Sequence, residues 1–183
     1  MGKKLIIKGA DFSANCIPAP APVVYSKMLG ITDSLYNQMT LISSTEISGT
    51  PAMFCDKLTV FTTHNVNNKA ILGIRLKVST SGLLPISKAY FSSDSDAGSS
   101  FTLLKTFTIS AGMIDHIVDL MFDTPVQLGN NEKIVFGNPN SSMTSTFYIG
   151  LSTISDVTLY RRVNATSWTT GSTPFGVDYL LEE

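Results

Sequence analysis

Charge is scarce in this sequence. Asp, Glu, Lys and Arg make up 15% of its 183 residues, and the formal net charge is −1. The longest basic runs are the pairs Lys3-Lys4 and Arg161-Arg162. Proteins that bind nucleic acid through its phosphates carry a basic patch or stripe, because phosphate contacts must replace condensed counterions. We therefore expect no nucleic-acid partner.

Long apolar runs are also missing. The N-terminal segment MGKKLIIKGADFS has only three consecutive apolar residues, which is far short of the apolar region of a signal peptide. No segment approaches the roughly 20 apolar residues that a membrane helix requires. We expect a chain that is made in the cytoplasm without a signal peptide and is not inserted in a membrane. Release by another route, such as cell lysis or incorporation into a virion, is compatible with this expectation.

Cysteine and histidine are too few for most metal and redox motifs. Cys16 and Cys55 form no C-x-x-C arrangement, and two separate buried thiols are favoured over a disulfide between them. His64 lies in a predicted turn, and His116 follows Asp115. Structural histidines are favoured over a two-histidine metal site, which would also need a carboxylate brought close by the fold. We expect neither a metal nor a cofactor.

Two short motifs begin like functional sites but lack the residues that the chemistry needs. GITDSL, at residues 30–35, is similar to the first block of GDSL-type esterases, in which the serine (here Ser34) is the nucleophile and a late Asp-x-x-His supplies the base. Neither histidine has an aspartate three positions before it, and a serine without a base is a weak nucleophile. Asp94-Ser95-Asp96 opens like a calcium loop, but the closing glutamate is absent. We expect no catalytic residue and a protein that is not an enzyme.

Apolar and polar residues alternate in many short segments. Ile71–Ser79 places Ile74, Leu76 and Val78 on one face and small or polar residues on the other, as in a half-buried strand. In a later segment, Leu103 is expected on the same face as Phe107 and Ile109. Further strand candidates are Leu58–Thr63, Ala89–Ser92, Leu103–Ile109, Ile134–Gly137, Thr146–Leu151 and Val157–Val163. Gly, Asn and Ser turns at roughly 8–12-residue spacing predict an all-β fold, an antiparallel β-sandwich of jelly-roll type.

The clearest strand-turn-strand signal is Asp123–Gly137, DTPVQLGNNEKIVFG. The preceding segment, Ile114–Phe122, fits either a helical stripe or a strand face. The surrounding segments are predicted strands, and Pro125 is expected to close the run, so a strand is favoured. In that interpretation Asp115 and Asp119 point away from the core.

The first 45 residues do not share this alternation. Lys4–Lys8 is a short strand candidate, Ile17–Pro22 carries three alternating prolines and should be extended, and Asp33–Ser43 fits a short helix capped by Asp33. We predict an N-terminal arm and linker over residues 1–45 and the β-sandwich over residues 46–183.

Aromatic residues supply the candidate ligand-binding groups. Trp168 lies in the polar loop SWTTGSTPF, where it either stacks on a ligand or folds back over the core, the second being slightly favoured. Tyr90 and Tyr160 fall on predicted strands near the arginines Arg75 and Arg161. Planar rings beside hydrogen-bonding groups are what carbohydrate recognition uses, so these five residues are the predicted binding residues.

The opening MGKKLIIKGADFSAN resembles the N-terminal segment of tail-associated and SGNH-hydrolase-linked proteins from phages and prophages of gut Bacteroidales bacteria. Residues from about Phe54 to Arg162 resemble the jelly-roll, carbohydrate-binding-like modules that accompany them. The chain lacks the catalytic blocks of the hydrolase members. The resemblance therefore implies a non-catalytic accessory module that contacts glycans on a virion or bacterial surface.

Two other functions are compatible with the sequence. One is a purely structural tail or fibre subunit that assembles with copies of itself or with other structural proteins. The other is a degenerate SGNH-type esterase that uses Ser34.

Overall fold

The computed structural model describes residues 24–41, 52–56, 69–93, 98–141, 143–149, 159–163, 169–170 and 176–183. The helix α1 spans Asp33–Gln38, and one 3-10 turn spans Ala111–Met113. The strands of these residues are β1 Tyr25–Lys27, β2 Thr40–Leu41, β3 Ala52–Asp56, β4 Ile71–Lys77, β5 Gly82–Tyr90, β6 Ser99–Ile109, β7 Ile117–Val126, β8 Glu132–Phe136, β9 Tyr148–Ile149, β10 Leu159–Val163, β11 Thr169–Thr170 and β12 Val177–Glu182.

Ten of these strands form two antiparallel sheets with the connectivity of a jelly roll, and β2 and β9 pair separately as a two-stranded sheet. The first sheet has the order β1-β12-β4-β7, and the second has the order β11-β10-β3-β8-β5-β6. If β2, β9, β10 and β11 are set aside and the remaining eight strands are renumbered along the chain, the orders become 1-8-3-6 and 2-7-4-5. This interleaving of two sheets is the eight-stranded jelly roll. The predicted fold class, an antiparallel β-sandwich of jelly-roll type, is confirmed.

The core lies between the inner faces of the two sheets. Ile74, Leu76 and Val78 of the first sheet are fully buried, as predicted, and they pack with Leu84 and Ile86 of the second. Because side chains alternate along β4, the residues between them point away from this core. The outer face of the first sheet therefore carries the polar side chains of β4.

The ambiguous segment before Asp123 is mainly a strand. Val118, Leu120 and Phe122 of β7 pack towards the core, which confirms the favoured interpretation for residues 117–122. Ile114 belongs instead to the turn before the strand, where Asp115 has a φ of 62°. The residues of this turn were predicted to be part of the strand, and that part of the prediction is wrong.

Pro125 does not end this strand, contrary to the prediction. β7 continues to Val126, and its pairing with β4 shifts from Ile71↔Val126 to Gly73↔Met121. Four residues of β7, at positions 122–125, thus lie opposite the single residue Leu72 of β4, which is an enlarged bulge. Since β7 is the terminal strand of its sheet, a proline without an N–H is tolerated there.

Leu103 also departs from its predicted position. The pairing of β5 with β6 shifts from Ile86↔Lys105 to Ser87↔Leu103, which leaves Leu104 as an extra residue. This bulge turns Leu104 towards the core, while Leu103 is 49% exposed. A one-residue bulge reverses the faces of the residues beyond it, so simple alternation placed Leu103 on the wrong side.

The short helix predicted over Asp33–Ser43 is present only over Asp33–Gln38, since Thr40–Leu41 is the strand β2, and its cap lies one residue earlier. Thr32 is the N-cap, and its Oγ1 accepts a hydrogen bond from the N–H of Leu35 at 3.3 Å. Asp33 is the first helical residue. The helix buries Tyr36, which packs with Ile31 and Met39 in a small separate cluster on the outer face of the first sheet.

Several other predictions have direct outcomes. The strand-turn-strand of Asp123–Gly137 is confirmed, although its two strands belong to different sheets. Of the predicted strand Ala89–Ser92, the first two residues are the end of the longer strand β5, and Phe91 and Ser92 lie beyond it. The segments Lys4–Lys8, Ile17–Pro22 and Leu58–Thr63 lie outside the described residues, as does Cys16, so the state of the two cysteines stays a prediction. The division at residue 45 also stays a prediction, with β1 paired to β12 of the sandwich.

Candidate functional site

Arg75 lies in the middle of the outer face of the first sheet. Its strand, β4, is flanked by β12 and β7, and the backbone register aligns Arg75 with Asp178 on one side and Asp119 on the other. The neighbouring Ile74 and Leu76 point into the core, so alternation directs Arg75 outwards. The predicted outward orientation of Arg75 and Asp119 is thus confirmed.

Two carboxylates hold the guanidinium of Arg75. Its Nη1 donates to both oxygens of Asp119, at 2.9 and 3.1 Å, and its Nη2 donates to Oδ1 of Asp33 at 3.1 Å. Burial disfavours the charged guanidinium, but the hydrogen bonds to Asp33 and Asp119 outweigh it and raise the pKa of Arg75. The result is a cation fixed in position by charge-assisted bonds.

Tyr25 completes this group from the far edge of the sheet. Its hydroxyl donates to Oδ2 of Asp119 at 2.6 Å, although β1 and β7 are the two opposite edge strands. That hydrogen bond, together with burial and the Asp119 charge, raises the pKa of Tyr25. We call Tyr25, Asp33, Arg75 and Asp119 the Arg75 cluster; it joins three strands and the helix α1.

A second polar group lies beside it on the same face. Lys77 follows Arg75 by two residues, so the two Cα atoms are about 7 Å apart along one strand face. The Nζ of Lys77 lies 4.8 Å from the centre of the Tyr148 ring, and the Tyr148 hydroxyl donates to Oδ1 of Asp115 at 2.5 Å. This bond raises the pKa of Tyr148. We call Lys77, Asp115 and Tyr148 the Tyr148 cluster.

The segment that carries Asp33 is fastened to the sheet by a buried carboxylate. Asp178 of β12 is fully buried and accepts hydrogen bonds from the N–H groups of Leu29, at 2.7 Å, and Ile31, at 2.8 Å. The hydroxyl of Tyr36 adds a bond to the carbonyl of Arg75 at 2.8 Å. We call residues 28–39 the strap. Its anchoring places Asp33 within reach of Arg75.

The predicted binding residues are not brought together. Arg75 is on the first sheet, whereas Tyr90, Tyr160 and Arg161 are on strands β5 and β10 of the second. Tyr90 is 39% exposed. Since β10 lies three strands from β5, the backbones at Tyr160 and Tyr90 are separated by about 14 Å in the direction across the sheet. Trp168 lies outside the described residues.

Few local features of the sequence indicated the partners of Arg75. Asp119 alternates outwards on its strand, which was a usable signal once a strand was assumed. Tyr25 and Asp33 precede the alternating segments and reach Arg75 only through long-range topology. Tyr148 lies in the predicted strand Thr146–Leu151, but its contact with Lys77 depends on the turn that contains Asp115.

Within the described residues, the structure places no catalytic base beside Ser34 and no cluster of metal ligands. Ser34 Oγ lies in the exposed helix α1, where Nε2 of Gln38 donates to it at 3.4 Å. His116 is exposed in the turn before β7. Across the described ranges, no group of three or more His, Cys, Asp or Glu side chains is arranged to hold a metal ion. His64 and Asp94-Ser95-Asp96 lie outside those ranges.

Comparison with known proteins adds one distant likeness. No protein-family model matches the chain, and no curated protein matches it. A crystal structure of the cysteine protease and lectin-like domains of a surface layer associated protein of Clostridium difficile aligns with a TM-score of 0.47 and 9% identity. The alignment covers 72% of this chain but 32% of that one, and a likeness this distant carries no argument about function. The resemblance to phage and prophage proteins stays a prediction.

Among the described residues, no helix is long and apolar enough to cross a bilayer.

Proposed function

We propose that the chain is a non-catalytic binding module that recognises glycans with the outer face of its first sheet. The observation that carries this proposal is the Arg75 cluster beside the Tyr148 cluster, in which two tyrosines and five charged groups are held in place on one face. Sugars bind to such surfaces because flat rings pack against their C–H faces while fixed polar groups accept or donate hydrogen bonds.

Preorganisation supports binding at this face. The Arg75 guanidinium is held by Asp33 and Asp119, so little side-chain entropy remains to be lost when a ligand arrives. At the same time the face is accessible, since the side chain of Asp33 is 67% exposed. A fixed but accessible polar surface suits a ligand with many hydroxyl groups.

A structural subunit assembled through the edge strands β6 and β7 is less well supported. The terminal strand β6 carries the bulge at Leu104, and β7 carries the bulge that contains Pro125. Lys105 of β6 donates to the carbonyl of Met121 at 3.1 Å and so spans the seam between these edge strands. Bulges, prolines and lysines on edge strands oppose pairing with another chain.

The esterase alternative draws no support from Ser34. Its hydroxyl lies on the outer side of a six-residue helix, and the one described histidine, His116, is in a turn beyond β4. A serine nucleophile needs a base within hydrogen-bonding reach.

Attachment to a virion or bacterial surface is part of the same proposal. It is supported by the resemblance of the N-terminal segment MGKKLIIKGADFSAN to tail-associated proteins of phages and prophages. A non-catalytic module on such an assembly would hold it near a glycan-bearing surface.

A glycan array with variants of both sheets tests the proposal. Arg75→Lys keeps the charge but cannot reach Asp119 and Asp33 with two separate nitrogens, so we expect array signals to fall about tenfold because that planar, two-nitrogen geometry is specific to arginine. Tyr90→Ala, on the second sheet, should leave the signals unchanged. Near-ultraviolet circular dichroism confirms that both variants are folded. The proposal fails if no glycan is enriched over an unrelated protein, or if Tyr90→Ala removes binding while Arg75→Lys does not.

A further inference from the structure

The outer face of the first sheet has a negative charge balance within the two clusters that form the proposed site. Its two clusters contain two cationic side chains, Arg75 and Lys77, and three anionic ones, Asp33, Asp115 and Asp119. The net charge of the two clusters is therefore −1. An anionic ligand would approach more negative than positive charge.

The arginine is also committed to internal partners. Asp119 accepts from Nη1 of Arg75, Asp33 accepts from Nη2, and Nε has no partner among the described residues but is buried, so an incoming carboxylate or sulfate does not meet a free guanidinium fork. To bind Arg75 as arginine usually binds anions, it would have to displace one of these aspartates.

The tyrosine hydroxyls of this face also donate their hydrogen bonds to internal partners. Tyr25 donates its hydroxyl proton to Asp119, and Tyr148 donates its proton to Asp115. Each phenol oxygen, having given its single proton away, can only accept a further hydrogen bond. The carboxylate oxygens are acceptors as well, so apart from the Lys77 ammonium the two clusters offer mainly acceptors to a ligand.

From these observations we infer that the outer face of the first sheet selects neutral, hydroxyl-rich glycans and discriminates against glycans with carboxylate or sulfate groups. The inference rests on the proposed glycan-binding function and names its ligand class. Sugar hydroxyls donate to the acceptors of the two clusters without adding negative charge. An acidic sugar offers fewer donors and adds repulsion.

The expected discrimination is moderate. Two like charges about 5 Å apart in water weaken binding roughly fourfold, and the effect falls with added salt because exposed charges are screened. Neutral oligosaccharides should therefore bind at least about fourfold more tightly than the same oligosaccharides carrying one terminal sialic acid, uronic acid or sulfate, at about 20 mM salt.

Matched probes and a charge-removing variant test the inference. Binding of each neutral and acidic pair is measured for the wild type, for Asp33→Asn and for the control Asp123→Asn. Asp33→Asn removes one negative charge from the face and should raise the ratio of acidic-glycan to neutral-glycan affinity about fourfold. Asp123 lies at the seam between the sheets, with Lys105 Nζ at 2.5 Å, and its substitution should change neither affinity.

The possible results distinguish failure of this inference from failure of the proposed glycan-binding function. Neutral binding that exceeds acidic binding, with the gap closed by Asp33→Asn alone, supports the inference. Equal or tighter binding of the acidic probes by the wild type overturns it and leaves glycan binding standing. Failure of every neutral and acidic probe to bind overturns the proposed function itself.

Discussion

The hydroxyl of Tyr25 donates a 2.6 Å hydrogen bond to Asp119 across the full width of the first sheet. Tyr25 is on β1 and Asp119 is on β7, the two edge strands, with Arg75 between them on β4. Because one aspartate accepts bonds from both residues, the two edges and the centre of the sheet are linked at a single carboxylate.

This link makes Tyr25→Phe destabilising. The variant keeps the ring and loses one hydrogen bond to a charged acceptor, so the free energy of unfolding should fall by about 1 kcal/mol. Urea unfolding measures the change. Tyr90→Phe, an exposed residue of the second sheet, is the matched control and should lie within about 0.5 kcal/mol of the wild type. Equal stability of all three proteins would show that the Tyr25 bond contributes nothing.

Asp178 should give the protein a distinct dependence on pH. Its burial raises the pKa from the ordinary value of 3.8, against the opposing effect of its hydrogen bonds with Leu29, Ile31 and Tyr179. In the window just above pH 3.8 the folded state therefore holds a proton that the unfolded state has released, and this contribution to stability is lost as the pH rises.

Asp178→Asn removes that titration. We expect the stability of the wild type relative to the variant to be greatest below pH 3.8 and to decline as the pH rises through the window. Urea unfolding of both proteins between about pH 3 and pH 7 checks this, since other groups cancel in the difference. Parallel pH profiles would contradict the assignment of a raised pKa to Asp178.

Gly73 is required where β4 approaches β7 most closely. A Cβ at this position would lie 2.5 Å from the carbonyl oxygen of Leu120, a backbone atom that cannot rotate away. Gly73→Ala should therefore cost about 2 kcal/mol or more and should weaken the Arg75–Asp119 contact nearby. Gly112→Ala, where a Cβ meets nothing within 4 Å, is the control and should be nearly neutral. Similar melting temperatures for the two variants would refute the close approach.

The bulge in β6 predicts opposite behaviour for two neighbouring leucines. Leu104 packs against the core, so Leu104→Ala should reduce the free energy of unfolding by about 2 kcal/mol. Leu103 is 49% exposed, and Leu103→Ala should change it by less than about 0.5 kcal/mol. The reverse order of effects would restore the simple alternation expected from the sequence.

The sequence predicted the fold better than the site because the two depend on different information. Alternation in Ile71–Ser79 and in the segment ending at Phe122 reports which side chains face a core, and this is local. The bulges at Leu104 and around Pro125 are set by pairing with β5 and β4, so they were not visible in the local pattern.

The candidate site depends on contacts between distant parts of the chain. Arg75 was selected correctly as an outward-facing residue, but Tyr25 reaches its partner across 94 positions and Asp33 reaches Arg75 across 42. Tyr90 was grouped with Arg75 because both were predicted on exposed strand faces, and only the sheet order shows that they belong to different sheets. Membership of a sheet is a property of topology that periodicity does not report.

The most direct test of the glycan-binding face is a chemical-shift titration of ¹⁵N-labelled protein with the neutral oligosaccharide that gives the strongest array signal. The account predicts that the perturbed amides cluster on β4, on β7 and in the strap, around Arg75, Asp119 and Asp33, while those around Tyr90 stay in place. Shifts confined to the second sheet, or no shifts at saturating oligosaccharide, would contradict it.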